Sequence, residues 1–119
     1  MRYLLVLLFV GFLSCNQNSN KNEIVSVADL SKVDFTDEQN VLLDVRTSEE
    51  FAEGHISNAI NVDVNSEHFD AEIQKLDKNK TYYVYCQAGT RSSKASSRLL
   101  RNGFTNIVNL KDGYSSYKK

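Results

Sequence analysis

The 119-residue sequence contains no proline and no tryptophan, and it has only two cysteines and two histidines. Without proline, no turn is stiffened by a fixed backbone angle. With a formal net charge of −1, the chain lacks the basic excess that nucleic-acid binding requires, so we expect no nucleic-acid partner. His55 and His68 are not spaced as metal ligands, and the cysteines form no pair or cluster. The sequence therefore predicts one small globular domain without a metal site or cofactor.

The sequence also lacks an apolar run long enough to span a bilayer, which needs about twenty residues. Its longest nearly unbroken apolar run, residues 3–13, has eleven residues and follows the basic side chain of Arg2. A short positive segment before a short apolar run is typical of a secretory signal peptide. We therefore expect residues 1–14 to be a signal peptide.

The end of this segment, Phe12-Leu13-Ser14-Cys15, resembles the lipobox of bacterial lipoproteins, in which the cysteine is acylated and begins the mature protein. Phe12 and Leu13 depart from the pattern, which usually has leucine and then a small residue at these positions. The resemblance implies that Cys15 is lipidated and attaches the protein to a lipid membrane in the bacterial cell envelope, outside the cytoplasm. An ordinary secretory signal cleaved nearby and an uncleaved anchor are the alternatives.

Residues 15–23 are rich in polar side chains, asparagine above all, which predicts a flexible tether before a domain at residues 24–119. If Cys15 is acylated, Cys86 is the only thiol left, so no intramolecular disulfide forms even in an oxidising compartment. A disulfide between Cys15 and Cys86 is the competing interpretation. A single thiol in such a compartment indicates chemistry at Cys86.

From residue 24 onward, strand and helix patterns alternate. Apolar and β-branched runs predict strands at 24–27, 41–46, 59–64, 82–86 and 106–110. Helical spacing and capping residues predict helices at about 27–31, from Thr47 to Gly54, at 66–76, between Cys86 and Gly103, and at 113–118. Strands that alternate with helices imply an α/β fold, with a small, mostly parallel central sheet and helices on both faces.

Several side chains have a predicted place in this fold. Ser26 and Ser66 are the expected N-caps of the helices that follow them. Tyr114 and Tyr117 are expected to pack inward from the last helix, and His68 is expected at the surface.

Cys86 is the position best suited to reactivity, because a strand pattern ends there and a helix pattern begins a few residues later. Ligands of parallel sheets bind at the carboxyl ends of strands, and the helix N-terminus favours an anion. Gly89 lets the loop turn several backbone amides toward one point, and Arg91 adds a positive charge suited to oxyanions. We therefore expect a thiol that ionises easily. A buried structural cysteine beside a helix-capping arginine is the alternative.

Four motifs together resemble the rhodanese family of sulfurtransferases. They are Leu43-Asp44-Val45-Arg46 with Glu49-Glu50-Phe51, Gly54-His55-Ile56 with Asn58-Ala59-Ile60-Asn61, Tyr85 to Ser92, and Leu110 to Tyr114. Their order and spacing cover nearly all of residues 24–117. The chain departs from the family at Ser57, where proline is usual, and at Tyr117, where tryptophan is common.

The resemblance implies a rhodanese-like fold in which the catalytic Cys86 becomes persulfidated. It also implies an anion-binding loop built from the backbone amides of Gln87, Ala88, Gly89, Thr90 and Arg91. Asp44 and Arg46 would support the pocket from the neighbouring strand, with Glu50 as a candidate partner of Arg46. The implied reaction moves a sulfane sulfur from a donor such as thiosulfate, a small sulfur-containing anion, to a thiol or other thiophilic acceptor.

Three other functions remain open. A cysteine phosphatase or arsenate reductase has a related loop with five residues between cysteine and arginine, whereas this chain has four, which favours a sulfur atom over a phosphoryl group. A non-catalytic rhodanese-like binding module would use the same fold for docking, although Cys86, Gly89 and Arg91 are all present. A persulfide carrier would receive its sulfur from a partner protein instead of free thiosulfate. We expect a monomer in each case.

Overall fold

All neighbouring strands of the central sheet run parallel to each other. The computed structural model describes residues 21–118, and its strands are β1 (Lys21–Val25), β2 (Asn40–Asp44), β3 (Ile60–Asn61), β4 (Thr81–Tyr85) and β5 (Asn106–Leu110). They lie side by side in the order β1, β5, β4, β2, β3. The predicted α/β sheet is confirmed, and within the described chain it is entirely parallel.

The helices lie on both faces of this sheet. A 3₁₀ helix at Val27–Lys32 follows β1, and the α-helices are α1 (Ser48–Glu53), α2 (Phe69–Ile73), α3 (Thr90–Arg101) and α4 (Gly113–Tyr117). Helices α2 and α3 cover one face, whereas the 3₁₀ helix and α4 cover the other. Within residues 21–118, no helix is long and apolar enough to cross a bilayer.

Strand β4 contributes to an apolar layer on each face, because successive strand residues point to opposite sides. Val84 packs in the layer that contains Phe69 of α2 and Leu99 of α3, and all three are fully buried. Tyr85 packs in the layer on the other face with Tyr114 of α4. Burying a large apolar side chain contributes about 1.5–3 kcal/mol. The two layers together fix the point at which β4 ends and the loop after it begins.

Most of the predicted capping residues are confirmed. Ser26 caps the 3₁₀ helix, and Thr47 forms a capping box with Glu50 at the start of α1. Gly54 follows the last residue of α1, as predicted. The prediction for Ser66 is wrong, because the N-cap of α2 is His68, and Ser66 accepts a hydrogen bond from the His68 N–H (3.1 Å) before the helix begins.

Two strands differ in length from the prediction. Strand β3 has two residues instead of the six predicted at 59–64. Beyond β3 the chain leaves the ladder and keeps only isolated backbone hydrogen bonds to β2 and to the residue that follows β2. Strand β1 begins at Lys21 instead of Ile24, and its first three residues pair with β5. These three residues were expected in the tether. The predicted signal peptide, Cys15 and the rest of the tether lie outside the described residues.

Tyr117 does not pack inward, which corrects the prediction for the last helix. Its side chain is 45% exposed, whereas Tyr114, one turn earlier, is 8% exposed and packs against the sheet. The two rings stack with their centroids 6.1 Å apart. Tyr114 occupies the position against the sheet, and Tyr117 therefore lies over the outer side of the Tyr114 ring.

Candidate active site

Cys86 follows the last residue of β4, and α3 begins four residues later at Thr90. Gly89 is the N-cap residue of α3 and has a left-handed backbone conformation with φ of 106°. This conformation directs the Gly89 N–H at the Cys86 sulfur, which accepts a hydrogen bond at 3.0 Å. The loop after β4 therefore turns back over its own cysteine.

Two opposing effects act on the Cys86 thiol. Burial raises the pKa of Cys86, but hydrogen bonds from Ser92, Gly89 and Ala88 lower it by more, so the net pKa lies below the ordinary value. Ser92 contributes through its backbone N–H and through its hydroxyl, whose oxygen is 3.7 Å from the sulfur. This site therefore favours a thiolate, which is the reactive form of cysteine.

The segment around α4 holds the other side of the loop. The Tyr114 N–H donates to the Cys86 carbonyl (2.9 Å), and the Ser115 N–H donates to the Gln87 carbonyl (3.1 Å). A Cβ atom on Gly89 would collide with the backbone carbonyl oxygen of Lys111. Only glycine therefore fits at this position, for reasons of both space and backbone conformation.

Arg91, at the end of the loop, forms a two-point ion pair with Glu50 of α1. Its Nη1 lies 2.6 Å from Glu50 Oε1, and its Nη2 lies 3.0 Å from Oε2. The hydrogen bonds from Arg91 lower the pKa of Glu50 to about 2, and the same pair raises the pKa of Arg91. The suggested pairing of Glu50 with Arg46 is wrong, because the α1 carboxylate faces the loop arginine.

Arg46 pairs with Asp44 instead, and both side chains are buried. Its Nη2 lies 2.7 Å from Asp44 Oδ2 and also donates to the Gly54 carbonyl at 2.7 Å. Burial lowers the pKa of Arg46, but the hydrogen bonds and the charge of Asp44 outweigh it and raise the pKa overall. Nη1 reaches Gln87 Oε1 at 3.2 Å, so the pair at the end of β2 contacts the loop after β4.

Three residues that contact the site were not predicted from the sequence to contribute to it. The Asn61 amide donates to the backbone carbonyls of Asp44 and Arg46, and the Tyr114 ring lies 4.3 Å from the Arg46 guanidinium carbon. Ser92 lies beside the sulfur. The position of Ser92 in the first turn of α3, directly after the loop, could have predicted its place beside the sulfur. The contacts of Asn61 and Tyr114 depend on the packing of separate elements, which the sequence does not show.

Cys86 is 1% exposed and lies beneath the loop, in which Gln87, Ala88 and Thr90 face solvent. A polar cavity of about 250 Å³ opens beside this loop and is lined by Gln87 and Lys118, among others. A larger, more apolar cavity of about 470 Å³ lies between the 3₁₀ helix and α4 and includes none of the loop residues. Within the described part of the chain, no cluster of His, Cys, Asp or Glu could hold a metal ion.

Neither histidine is among the hydrogen-bond partners of Cys86 in the described part of the chain. His55 stacks on Phe51 with ring centroids 3.7 Å apart, and its Nδ1 lies 2.8 Å from the Phe51 carbonyl oxygen. His68 is at the surface, as predicted, with its side chain 72% exposed. The site therefore places the Cys86 sulfur against backbone N–H groups of the loop and of α3, with the Arg91 charge at the far end of the loop.

Comparison with known proteins gives a consistent result. The family model for the rhodanese-like domain matches residues 26–119 of this chain. Thiosulfate sulfurtransferase 16, chloroplastic, of Arabidopsis thaliana is 37% identical over 87 residues, which cover 65% of this chain and 72% of that protein. The solved structure of a rhodanese-like domain protein from Staphylococcus aureus matches with a TM-score of 0.66 and 30% identity, covering 76% of this chain and 86% of that one.

A second kind of relative shares only a part of its length with this chain. The tRNA uridine(34) hydroxylase of Buchnera aphidicola is 36% identical over 89 residues. The match covers 70% of this chain and 27% of that protein, so the chain spans about a quarter of that relative's length.

Proposed function

The chain belongs to the family of rhodanese-like domains, and on this basis we propose that it is a sulfurtransferase that carries a sulfane sulfur as a persulfide on Cys86. The main support is the 3.0 Å hydrogen bond from the Gly89 N–H to the Cys86 sulfur, at the start of α3. Donors that are already in place stabilise a negative sulfur without reorganisation during the reaction. The same donors suit the terminal sulfur of a persulfide, which is also an anion.

In the first step, the Cys86 thiolate attacks the outer sulfur of thiosulfate. A bond forms between the Cys86 sulfur and this sulfane sulfur, while the bond from the sulfane sulfur to the sulfonate group breaks. Sulfite leaves with the electron pair of the broken bond, and the persulfide keeps the negative charge. Since sulfite leaves without a proton, the reaction needs no paired histidine base.

In the second step, a thiolate or cyanide attacks the outer sulfur of the persulfide. The sulfur–sulfur bond breaks, its electron pair returns to Cys86, and the product is an acceptor persulfide or thiocyanate. The thiolate that the loop stabilises in the resting site is therefore also the leaving group. The same loop assists both steps because the charge stays on sulfur atoms at one place.

The two arginines have different proposed roles. Arg91 is held by Glu50 at the end of the loop, and its positive charge is proposed to attract the sulfonate oxygens of the donor. Arg46 is 2% exposed and already bound to Asp44, so its proposed role is to support Gln87 of the loop instead of contacting substrate. The backbone amides of residues 87–91 form the proposed anion site.

The test is intact-mass analysis of the full chain after incubation with thiosulfate. The wild type should gain one sulfur atom that a reductant removes, whereas Cys86→Ser should gain none. Because the chain has a second cysteine, Cys15→Ser is the matched control and should still gain the sulfur. A wild-type chain that gains no sulfur from thiosulfate would contradict the thiosulfate activity.

Two family alternatives are separated by the sulfur donor. A persulfide carrier should load from polysulfide or from a partner protein while it turns thiosulfate over poorly. A binding module should load from neither. The phosphatase alternative requires hydrolysis of a phosphate ester above the rate of Cys86→Ser. The tRNA uridine(34) hydroxylase shares only 27% of its length with this chain, which is too little to imply the hydroxylase activity here.

The lipid anchor is a separate proposal, supported by the sequence of residues 1–15. We propose that residues 1–14 are a signal peptide and that acylated Cys15 holds the domain in the bacterial cell envelope. The variant Cys15→Ser should move from the membrane fraction to the soluble fraction and keep its sulfur loading, whereas Ser19→Ala should stay membrane-bound. A Cys15→Ser variant that remains in the membrane fraction would exclude the lipid anchor.

A further inference from the structure

Strand β5 carries one buried polar side chain, Asn109, in an otherwise apolar setting. Asn109 is 4% exposed, and its Oδ1 is buried without a hydrogen-bond partner among residues 21–118. A buried acceptor without a partner destabilises the folded state, so packing alone does not account for an amide here. The other amide atom is engaged, since Nδ2 donates to the Ser93 hydroxyl at 3.0 Å.

This hydrogen bond is the first in a series that leads to the reactive sulfur. The Ser93 hydroxyl donates to the Gly89 carbonyl oxygen at 3.0 Å. The same oxygen accepts from the Ser92 hydroxyl at 3.0 Å and from the Ser93 N–H at 3.3 Å. The Gly89 N–H in turn donates to the Cys86 sulfur at 3.0 Å. The residue that contacts the sulfur is thus held at its carbonyl by three donors of α3.

The order of donors and acceptors gives Asn109 a specific part in this series. A serine hydroxyl rotates freely and has one hydrogen to donate. Because the Asn109 amide donates to the Ser93 oxygen, the Ser93 hydrogen is left for the Gly89 carbonyl. Hydrogen bonds in series also polarise one another, which strengthens each of them. Glycine can adopt the left-handed conformation but is not confined to it, so these hydrogen bonds are needed to hold Gly89 in that conformation.

We propose that Asn109 is a positioning residue that acts through Ser93 to hold Gly89 with its N–H directed at the Cys86 sulfur. This inference deepens the proposed function and rests on it for its catalytic meaning. Within the described residues, the Asn109 side chain makes its hydrogen bond to the Ser93 hydroxyl and none to the sulfur or the loop backbone, so its influence passes through that hydroxyl. A purely structural Asn109 would tie β5 to α3 without changing the chemistry of the thiol.

The experiment measures the pH dependence of Cys86 alkylation by iodoacetamide in the full chain, followed at that residue by peptide mass spectrometry. The variants are Asn109→Leu, Ser93→Ala and the double variant. Asn106→Leu, at the other end of β5, and Ser96→Ala, on α3, are matched controls that lie outside the series, since the Ser96 hydroxyl has no hydrogen-bond partner among the described residues. The positive charge of Arg91 is unchanged in all of them. Thermal unfolding of each variant records stability separately.

We expect Asn109→Leu and Ser93→Ala each to raise the pKa of Cys86 by about half a unit, an approximately threefold loss of thiolate at a pH below that pKa. The double variant should match Ser93→Ala alone, because Asn109 acts through that hydroxyl. The controls should titrate like the wild type.

Three results would overturn the inference. The first is a Cys86 pKa that is unchanged in Asn109→Leu. The second is an Asn109→Leu shift that is equally large when Ser93 is already alanine. The third is a shift of the Cys86 pKa in the control variants as large as that in Asn109→Leu. If Asn109→Leu does not fold, Asn109→Ala takes its place in the same cycle. Loading of the wild type from thiosulfate is measured in parallel. Its failure would remove the proposed function, whereas the pKa comparison would still decide the role of Asn109.

Discussion

Glu50 and Arg91 lie 41 positions apart in the chain, and their side chains meet in a two-point ion pair with distances of 2.6 and 3.0 Å. The pair joins α1 to the first turn of α3, beside the loop that covers Cys86. The two side chains are 31% and 25% exposed, so water screens the pair only in part. This contact fixes where the positive charge at the end of the loop is located.

The Glu50–Arg91 pair should make stability depend on pH in the acid range. Arg91 lowers the pKa of folded Glu50 from 4.5 to about 2, so the unfolded chain takes up the proton first as the pH falls. The contribution, about 1–2 kcal/mol after allowance for solvent screening, should be complete above pH 4.5 and lost as the pH falls to about 2. Thermal unfolding of the wild type and of Glu50→Gln between these pH values measures it.

The difference in thermal stability between the wild type and Glu50→Gln should become steadily smaller as the pH is lowered. Glu53→Gln on the same helix is the control, because Glu53 makes no ion pair within the described residues. A difference that stays constant from neutral pH down to pH 2 would show that the carboxylate does not stabilise the fold through its charge.

The buried pair of Asp44 and Arg46 should be the most sensitive charged contact in the domain. Asp44→Ala leaves the Arg46 charge buried without its partner, which costs about 3–5 kcal/mol. The double variant Asp44→Leu with Arg46→Met should recover part of this loss, because it leaves no unpaired charge. Urea unfolding compares the three proteins, and a loss below 1 kcal/mol in Asp44→Ala would contradict the buried-pair interpretation.

Gly89→Ala should be more damaging than the same change at Gly103, although both glycines have positive φ angles of 106° and 90°. At Gly103 the added Cβ meets only the flexible Lys78 side chain at 3.6 Å, so we expect backbone strain of about 1–2 kcal/mol. At Gly89 it also collides with the Lys111 backbone carbonyl.

Sulfur loading of Gly89→Ala should therefore fall at least tenfold, while Gly103→Ala should load normally after correction for its folded fraction. Intact-mass analysis and thermal unfolding measure the two effects. Equal loading by the two variants would mean that the loop tolerates displacement of Gly89.

The rate of Cys86 modification should rise with pH and level off at a lower pH than for an ordinary thiol, because the thiolate is the reacting form. Ser92→Ala removes the hydroxyl whose oxygen lies 3.7 Å from the sulfur. This hydroxyl donates to the Gly89 carbonyl, and it can rotate its one hydrogen to the sulfur when the thiol ionises. We expect the midpoint to move up by about one pH unit, roughly a tenfold loss of rate at a pH below that midpoint. Iodoacetamide alkylation across pH measures it, and an unshifted Ser92→Ala profile would exclude this role.

The sequence was most informative where the determining interaction is local. The capping box of Thr47 and Glu50 is confirmed because its two hydrogen bonds lie within one turn of chain. Strand β5 begins and ends as predicted because its apolar run is bounded by the clear stop at Gly103 and the polar residues after Leu110. Strand β3 was predicted too long because its pattern continues after its ladder with β2 has ended.

The sequence by itself determined the parallel α/β class, the position of Cys86 between a strand and a helix, and Gly89 within the loop, since these depend on the order of neighbouring residues. Only the tertiary structure decided that Glu50 binds Arg91, that Arg46 binds Asp44, and that Asn109 reaches Ser93. From the sequence alone, these two carboxylates and two arginines could form ion pairs in more than one combination. The packing of α1 and α3 against the sheet selects one, because a charged hydrogen bond requires its partner within about 3 Å.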